Sequence, residues 1–170
     1  MYKGKNNIAS MVMREMKGVN TPEISQVTPA DHLNYFKDHP ATKPKTTIWV
    51  NGCFDVIHAG HIEMLKYARS VGDRLVVGLD TDDRVRESKG MDRPINSSQH
   101  RKTVMEAIRY VDEVVLFGSD DALRNAITWS QADIIVVGEE YTGRVIGEEL
   151  VREIKYFPRM HNLSTTNIVS

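Results

Sequence analysis

From residue 46 onward the sequence predicts an α/β domain: a doubly wound, parallel five-stranded sheet, preceded by an N-terminal extension. Three observations predict it. Short, nearly continuous apolar runs recur at 46–50, 75–79, 113–117 and 134–137, as strands buried on both faces require. Segments with helical spacing of apolar residues lie between them, which is the alternation of a parallel sheet. The first run leads through a glycine-containing turn straight into a helix, and ligands of such sheets bind at the carboxyl ends of strands.

Each element has its own reason. Thr46-Thr-Ile-Trp-Val50 is β-branched and aromatic, hence a strand. Over 61–70, Ile62, Leu65 and Ala68 share one face while Glu63, Lys66 and Arg69 point elsewhere, hence a helix. Leu-Val-Val-Gly-Leu at 75–79 reads as the second strand. The stretch from Lys89 to Asn96 reads as a loop, followed by a helix over roughly 98–110 with Val104, Ala107, Ile108 and Val111 on one stripe and Ser97 or Ser98 as cap. A strand at 113–117, a helix at 121–129 with Leu123, Ala126 and Ile127 inward, a strand at 134–137 and a fifth near 153–157 complete the pattern. Right-handed crossovers wind it on both faces. Residues 1–45 differ: Pro22, Pro29, Pro40 and Pro44 mark turns between short helices expected at 8–16 and 31–37. They read as an arm packed on the domain or on a second subunit, and 46–170 as the functional domain.

Composition narrows the function. A net charge of −1 with 26% charged residues gives no support for nucleic-acid binding. No apolar run approaches the ~20 residues that span a bilayer, and the N-terminus lacks the apolar core of a signal peptide. The one cysteine, Cys53, excludes an internal disulfide and a cysteine-based zinc site. A cytoplasmic protein without membrane or nucleic-acid partners is expected.

The chemistry concentrates in Asn51-Gly-Cys-Phe-Asp-Val-Ile-His-Ala-Gly-His61. Glycines there allow close backbone approach, and His58 and His61 sit where a helix begins. Free N–H groups and partial positive charge make a helix start a seat for phosphate. The run is neither a P-loop nor a dinucleotide fingerprint. The two histidines read as phosphate contacts; a metal pair and helix capping are the alternatives. Asp55 reads as holding the turn or binding magnesium, and Cys53 as a small packing residue. Two further clusters are compatible with anions: Lys89, Arg93 and Arg101 around the loop after residue 88, and Arg159 followed by Ser164-Thr165-Thr166, a good helix start.

With these residues in view the sequence resembles the cytidylyltransferase-like nucleotidyltransferases, a Rossmann-like fold of the HxGH type. Their pattern Gly-x-Phe-Asp-x-x-His-x-Gly-His is met by Gly52, Phe54, Asp55, His58, Gly60 and His61. Their second signature, an arginine five residues before Ser-Thr-Thr, is met by Arg159 and Ser164-Thr165-Thr166. The resemblance implies joining of a nucleoside triphosphate to a phosphorylated sugar or polyol, with release of pyrophosphate, with Mg2+, and in a homodimer. It assigns His58, His61, Lys89 and Arg159 to catalysis. Gly52, Cys53, Phe54, Asp55, Gly60, Gly138, Ser164, Thr165 and Thr166 would bind the nucleotide, and Lys89, Arg93 and Arg101 the substrate phosphate. No protein-held metal ligand is implied. Asn51-Gly-Cys-Phe-Asp, Lys89-Gly and Ser-Thr-Thr-Asn-Ile resemble the adenylyltransferase domain that makes ADP-heptose from heptose 1-phosphate. His100-Arg-Lys and Arg109-Tyr-Val-Asp-Glu-Val are similar instead to glycerol-3-phosphate cytidylyltransferase. ATP and CTP therefore both stand, as does a non-catalytic nucleotide sensor.

Overall fold

A computed structural model describes residues 46–158. The helices expected at 8–16 and 31–37, together with Arg159, Ser164, Thr165 and Thr166, lie outside the described residues.

Five strands form one parallel sheet: β1 (Thr47–Gly52), β2 (Arg74–Asp80), β3 (Glu113–Phe117), β4 (Ile134–Gly138) and β5 (Glu153–Phe157), in spatial order β3-β2-β1-β4-β5. Four α-helices connect them: α1 (Ala59–Ser70), α2 (Asp82–Lys89), α3 (Ser98–Glu106) and α4 (Asp120–Ser130). The chain winds outward from β1 through β2 to β3, then α4 carries it back to β4 on the other side of β1. That reversal makes the β1/β4 boundary the switch point, where doubly wound sheets bind ligands.

Alternation along the strands divides the interior in two. Ile48, Val50, Leu75, Val77 and Leu79 face α1 and α3 and pack with Leu65, Ala68 and Met105. Trp49, Val76 and Ile135 face the other way and pack with Leu123, Ala126 and Ile127 of α4. Aspartates fix the strand starts: the Leu75 N–H donates to Asp112 Oδ2 at 2.8 Å, and the Thr47 N–H to Asp133 Oδ2 at 2.8 Å. The edge strand β5 carries Glu153 and Lys155, charges that discourage further strand pairing.

Two elements differ from the sequence reading. Residues 82–89 form α2, although only Val85 in it is buried, so no apolar stripe announces it. Its signal is electrostatic, with Asp82 and Asp83 in the first turn, Arg86 and Lys89 in the last, and Gly90 (φ 96°) as the stop. The helix expected over 98–110 ends at Glu106, because Ala107 and Ile108 N–H groups turn to carbonyls three residues back, Val104 and Met105. Its buried face is Arg101 and Met105, while Val104 is 49% exposed. Of the expected stripe Ile108 and Val111 do pack on the core, but Val104 and Ala107 are exposed. A buried guanidinium, whose partners are described below, takes the inward place on the helix. The cap is Ser97, whose hydroxyl accepts from the His100 N–H.

Gly78 lies in β2 against Trp49 and Phe117, and a Cβ there would collide with Trp49 Cζ2 and come within 2.9 Å of Phe117 Cε1. Gly78→Ala is expected to destabilise the domain by about 1–3 kcal/mol, the usual cost of overpacking a filled core. Urea unfolding checks this: a midpoint equal to wild type would contradict the packing described.

Candidate active site

The turn after β1 is built around one carboxylate. Phe54 is buried and takes a positive φ of 46°, a conformation that costs a bulky residue of order 1–3 kcal/mol and needs its surroundings to hold it. Just beyond, the side chain of Asp55 is 1% exposed and accepts three hydrogen bonds from the loop before α3. The donors are Arg93 Nε (2.7 Å), the Ile95 N–H (2.9 Å) and the Asn96 N–H (2.8 Å). Asn96 Nδ2 returns one bond to the Asp55 carbonyl at 2.7 Å. Although burial works in the opposite direction, these donors bring the Asp55 pKa below its ordinary value.

Arg101 completes the brace. Its side chain is wholly buried, donating from Nη1 to the Cys53 carbonyl (2.7 Å), from Nε to the Asn96 carbonyl (3.0 Å) and from Nη2 to Asp82 (2.7 Å). This corrects the expectation for Arg93 and Arg101, and favours the turn and packing readings of Asp55 and Cys53. Arg93 and Arg101 are not among the residues lining the cleft; their charges are spent on Asp55 and Asp82, so of the three cations expected at a substrate phosphate only Lys89 lines it. Asp55 borders the cleft, but its oxygens are committed to the turn rather than offered to nucleotide or metal. The Cys53 thiol is buried, and burial pushes its pKa up, so it packs rather than attacks.

So held, the turn delivers the histidines. Helix α1 starts at Ala59, two residues earlier than the apolar spacing indicated, with His58 as N-cap in extended conformation. The His58 carbonyl accepts from the His61 N–H at 3.0 Å. The two imidazoles stack with centroids 3.7 Å apart and planes inclined by 23°, and Phe54 meets the His61 ring edge-on at 5.1 Å. His61 Nδ1 accepts from the His58 N–H at 3.4 Å, which leaves Nε2–H as the donor His61 can offer a ligand. His58 Nδ1 is buried and without a partner among the described residues. Burial lowers the pKa of His58. His61 is lowered to about 4 by burial first, then by His58 and Lys89. At neutral pH both rings are therefore uncharged.

Both histidines line one cleft of about 790 Å³ at the carboxyl edge of the sheet, with Gly52, Phe54, Gly60, Lys89 and Gly138. Lys89, the last residue of α2, is exposed, and no described carboxylate holds it in an ion pair. Gly138 ends β4, and a Cβ there would strike the Glu140 carboxylate. Sequence reasoning missed Asp80 and Arg84, which also line the cleft. Arg84 Nε donates to Asp80 Oδ1 at 2.8 Å and Nη2 to Asp120 at 2.6 Å. The available signal was position, since Asp80 ends β2 as Gly52 ends β1. Among the described residues no group of three or more His, Cys, Asp or Glu is placed to hold a metal ion. No helix among them is long and apolar enough to cross a membrane.

A proton balance follows from the His61 environment. Between about pH 4 and its ordinary value of 6.5 the unfolded chain carries a proton at His61 that the folded chain lacks. Stability is therefore complete above pH 6.5 and declines as the pH falls toward 4. Urea unfolding across this window is expected to show a shallower pH slope in His61→Gln than in wild type. Equal slopes would mean that the ring is not held neutral.

The family model for cytidylyltransferase-like proteins matches residues 49–170. The bifunctional protein HldE of Campylobacter fetus is 46% identical over 127 residues, covering 74% of this chain and 28% of that protein. The bifunctional protein HldE of Wolinella succinogenes is 38% identical over 129 residues, 75% of this chain and 27% of that protein. The chain thus spans little more than a quarter of the length of these relatives. Among solved structures, a lipopolysaccharide core biosynthesis protein from Thermoplasma volcanium superimposes with a TM-score of 0.57 at 25% identity, covering 68% of this chain and 98% of that one. A pantothenate synthetase from Thermus thermophilus shares the fold at a TM-score of 0.53 and 14% identity, covering 83% of this chain and 65% of that one. With the motif histidines gathered at the switch point of a parallel sheet, and the family model covering most of its length, this chain belongs to the cytidylyltransferase-like family of nucleotidyltransferases.

Proposed function

We propose that the chain transfers an adenylyl group from ATP to a phosphorylated sugar, in the manner of a heptose-1-phosphate adenylyltransferase, and releases pyrophosphate. The observation that carries the reading is the cleft itself: both motif histidines and an uncommitted lysine line one cavity at the switch point. Similarity to bifunctional HldE proteins at 36–46% identity favours the sugar-phosphate branch over the glycerol branch. The same reading carries a catalytic domain beginning near residue 46, a homodimer and a cytoplasmic location.

An oxygen of the acceptor phosphate attacks the α-phosphorus and forms the new P–O bond. The bond from that phosphorus to the α–β bridging oxygen breaks, and pyrophosphate leaves with the electron pair. The attacking oxygen is already anionic at pH 7, so no general base is needed. The barrier is electrostatic: like charges 4 Å apart repel by about 4 kcal/mol at an effective dielectric near 20. Lys89 and, by family resemblance, Arg159 reduce that repulsion. His58 and His61 act as neutral donors to phosphate oxygens, and an arriving anion favours their protonation. The N-terminus of α1 adds its unpaired N–H groups. By resemblance, Ser164, Thr165 and Thr166 hold the β/γ end of the triphosphate.

The family generally works with a divalent metal on the triphosphate, and Mg2+ is the ion proposed. With Asp55 committed to its loop, the described donor set suits an ion brought in by phosphate oxygens rather than caged by protein. When bound, it would neutralise phosphate charge.

The test is pyrophosphate release with ATP and CTP, each crossed with heptose 1-phosphate and glycerol 3-phosphate. Highest turnover with ATP and heptose 1-phosphate is expected, and His61→Ala or Lys89→Ala should each lower kcat about 10²–10³-fold while remaining folded. Preference for CTP with glycerol 3-phosphate would overturn the substrate reading. Nucleotide binding with no turnover of any pair would make the chain a sensor.

A further inference from the structure

Helix α2 ends in Lys89, yet few contacts hold the helix itself. Of its eight residues only Val85 is buried. Asp82, Val85 and Lys89 stand three and four residues apart, so they share one stripe of the helix. The neighbouring stripe, Arg84, Glu87 and Ser88, lines the cleft, and Asp82 does not. Asp82 instead accepts from Arg101 Nη2 at 2.7 Å, while Val85 is fully buried one turn on. Two anchors on one stripe oppose rotation of α2 about its axis, and the third position of that stripe is Lys89. Burial, His58 and then the Lys89 charge lower the His61 pKa, so lysine and imidazole are within electrostatic reach.

The guanidinium that takes Asp82 also closes the far end of the segment. Arg101 Nε donates to the Asn96 carbonyl at 3.0 Å, so residues 82 and 96 are clipped to one buried side chain. Lys89 lies midway between them. The third bond, from Nη1 to the Cys53 carbonyl at 2.7 Å, goes to the turn that carries the histidines. Arg101 therefore sets the lysine-bearing segment against the histidine-bearing turn. Other tethers act elsewhere. Arg84 reaches Asp80 and Asp120 from the adjacent stripe. Arg93 binds Asp55 beyond Gly90, where the chain has already left the helix. Among the described bonds of α2, the one from Asp82 ties the helix to the guanidinium that also holds the turn.

We propose that Asp82 is a positioning residue: through Arg101 it fixes the rotation of α2, and with it the place of Lys89 relative to the two histidines. This rests on the nucleotidyl-transfer reading above, in which Lys89 offsets phosphate charge. Asp82 itself meets no substrate. A cation displaced by about 1 Å from the charge it serves can cost about 100-fold in rate.

The test is a double-mutant cycle read by pyrophosphate release, with Asp82→Asn made in wild type, in Lys89→Ala and in His61→Ala. Asparagine keeps an oxygen for Arg101 and removes the charge. In wild type and in His61→Ala, Asp82→Asn is expected to lower kcat about 10- to 100-fold. In Lys89→Ala the same change should cost less than about twofold, because the side chain it places is gone. Asp82→Glu keeps the charge on a longer arm, and replaces Asp82→Asn in the cycle if thermal melting shows that variant unfolded. An unchanged kcat in wild type, or an equal loss in all three backgrounds, overturns the inference alone. A loss that vanishes in both mutant backgrounds also overturns it, since Asp82 would then serve the site as a whole. Wild type that turns over no pair of triphosphate and phosphorylated acceptor overturns the functional reading and this inference with it.

Discussion

The structure of the site depends on the carboxylate of Asp55. The chain must reverse sharply after β1, through a phenylalanine in a left-handed conformation, and local preference resists that geometry. What holds it is a buried anion receiving two backbone N–H groups and a guanidinium from a loop some 40 residues away. Arg101 works from the other side, tying the Cys53 carbonyl to α2 and to the same loop. A buried charge left without its partner is strongly unfavourable, so the two ion pairs and the turn form together. An acid inside a catalytic motif invites a catalytic role; this one spends its charge on shape.

Once the turn is fixed, the cleft sorts its electrostatics by function. The imidazoles are stacked too closely for both to carry charge easily, and burial keeps them neutral. Uncharged, they avoid the mutual repulsion a cationic pair would suffer before a ligand arrives. Positive charge comes instead from Lys89, exposed at the end of a short helix and uncommitted. Carboxylates reach the same cleft: Asp80 at the end of β2, Glu87 in α2 and Glu140 past β4.

Much of this was legible in the sequence. The five strands and the turn at 51–61 announced themselves, because strands buried on both faces cannot hide their apolar content. The two motif histidines drew attention through their spacing and their place at a helix start, and both line the cleft. What escaped notice did so for physical reasons. Helix α2 is mostly solvated, so its residues carry cap and dipole signals but no apolar stripe. Arg101 is a cation in a core position, and a reading that seeks apolar periodicity turns the helix by the wrong angle. Arg93 and Arg101 looked like phosphate ligands because sequence shows charge, not where a counter-charge lies. Asp80 was overlooked because one aspartate after a strand carries no motif.

One proposed placement matters above all others: a triphosphate over β1, between the paired imidazoles and Lys89. A crystal structure of the chain with a non-hydrolysable ATP analogue, bridged by a methylene between the α- and β-phosphates, tests it most directly. Phosphate oxygens within hydrogen-bonding distance of both His58 and His61, and of Lys89 Nζ, are expected, with Asp55 still bound to Arg93. A triphosphate seated away from the histidine turn, or one that draws Asp55 out of its loop to the metal, would contradict it.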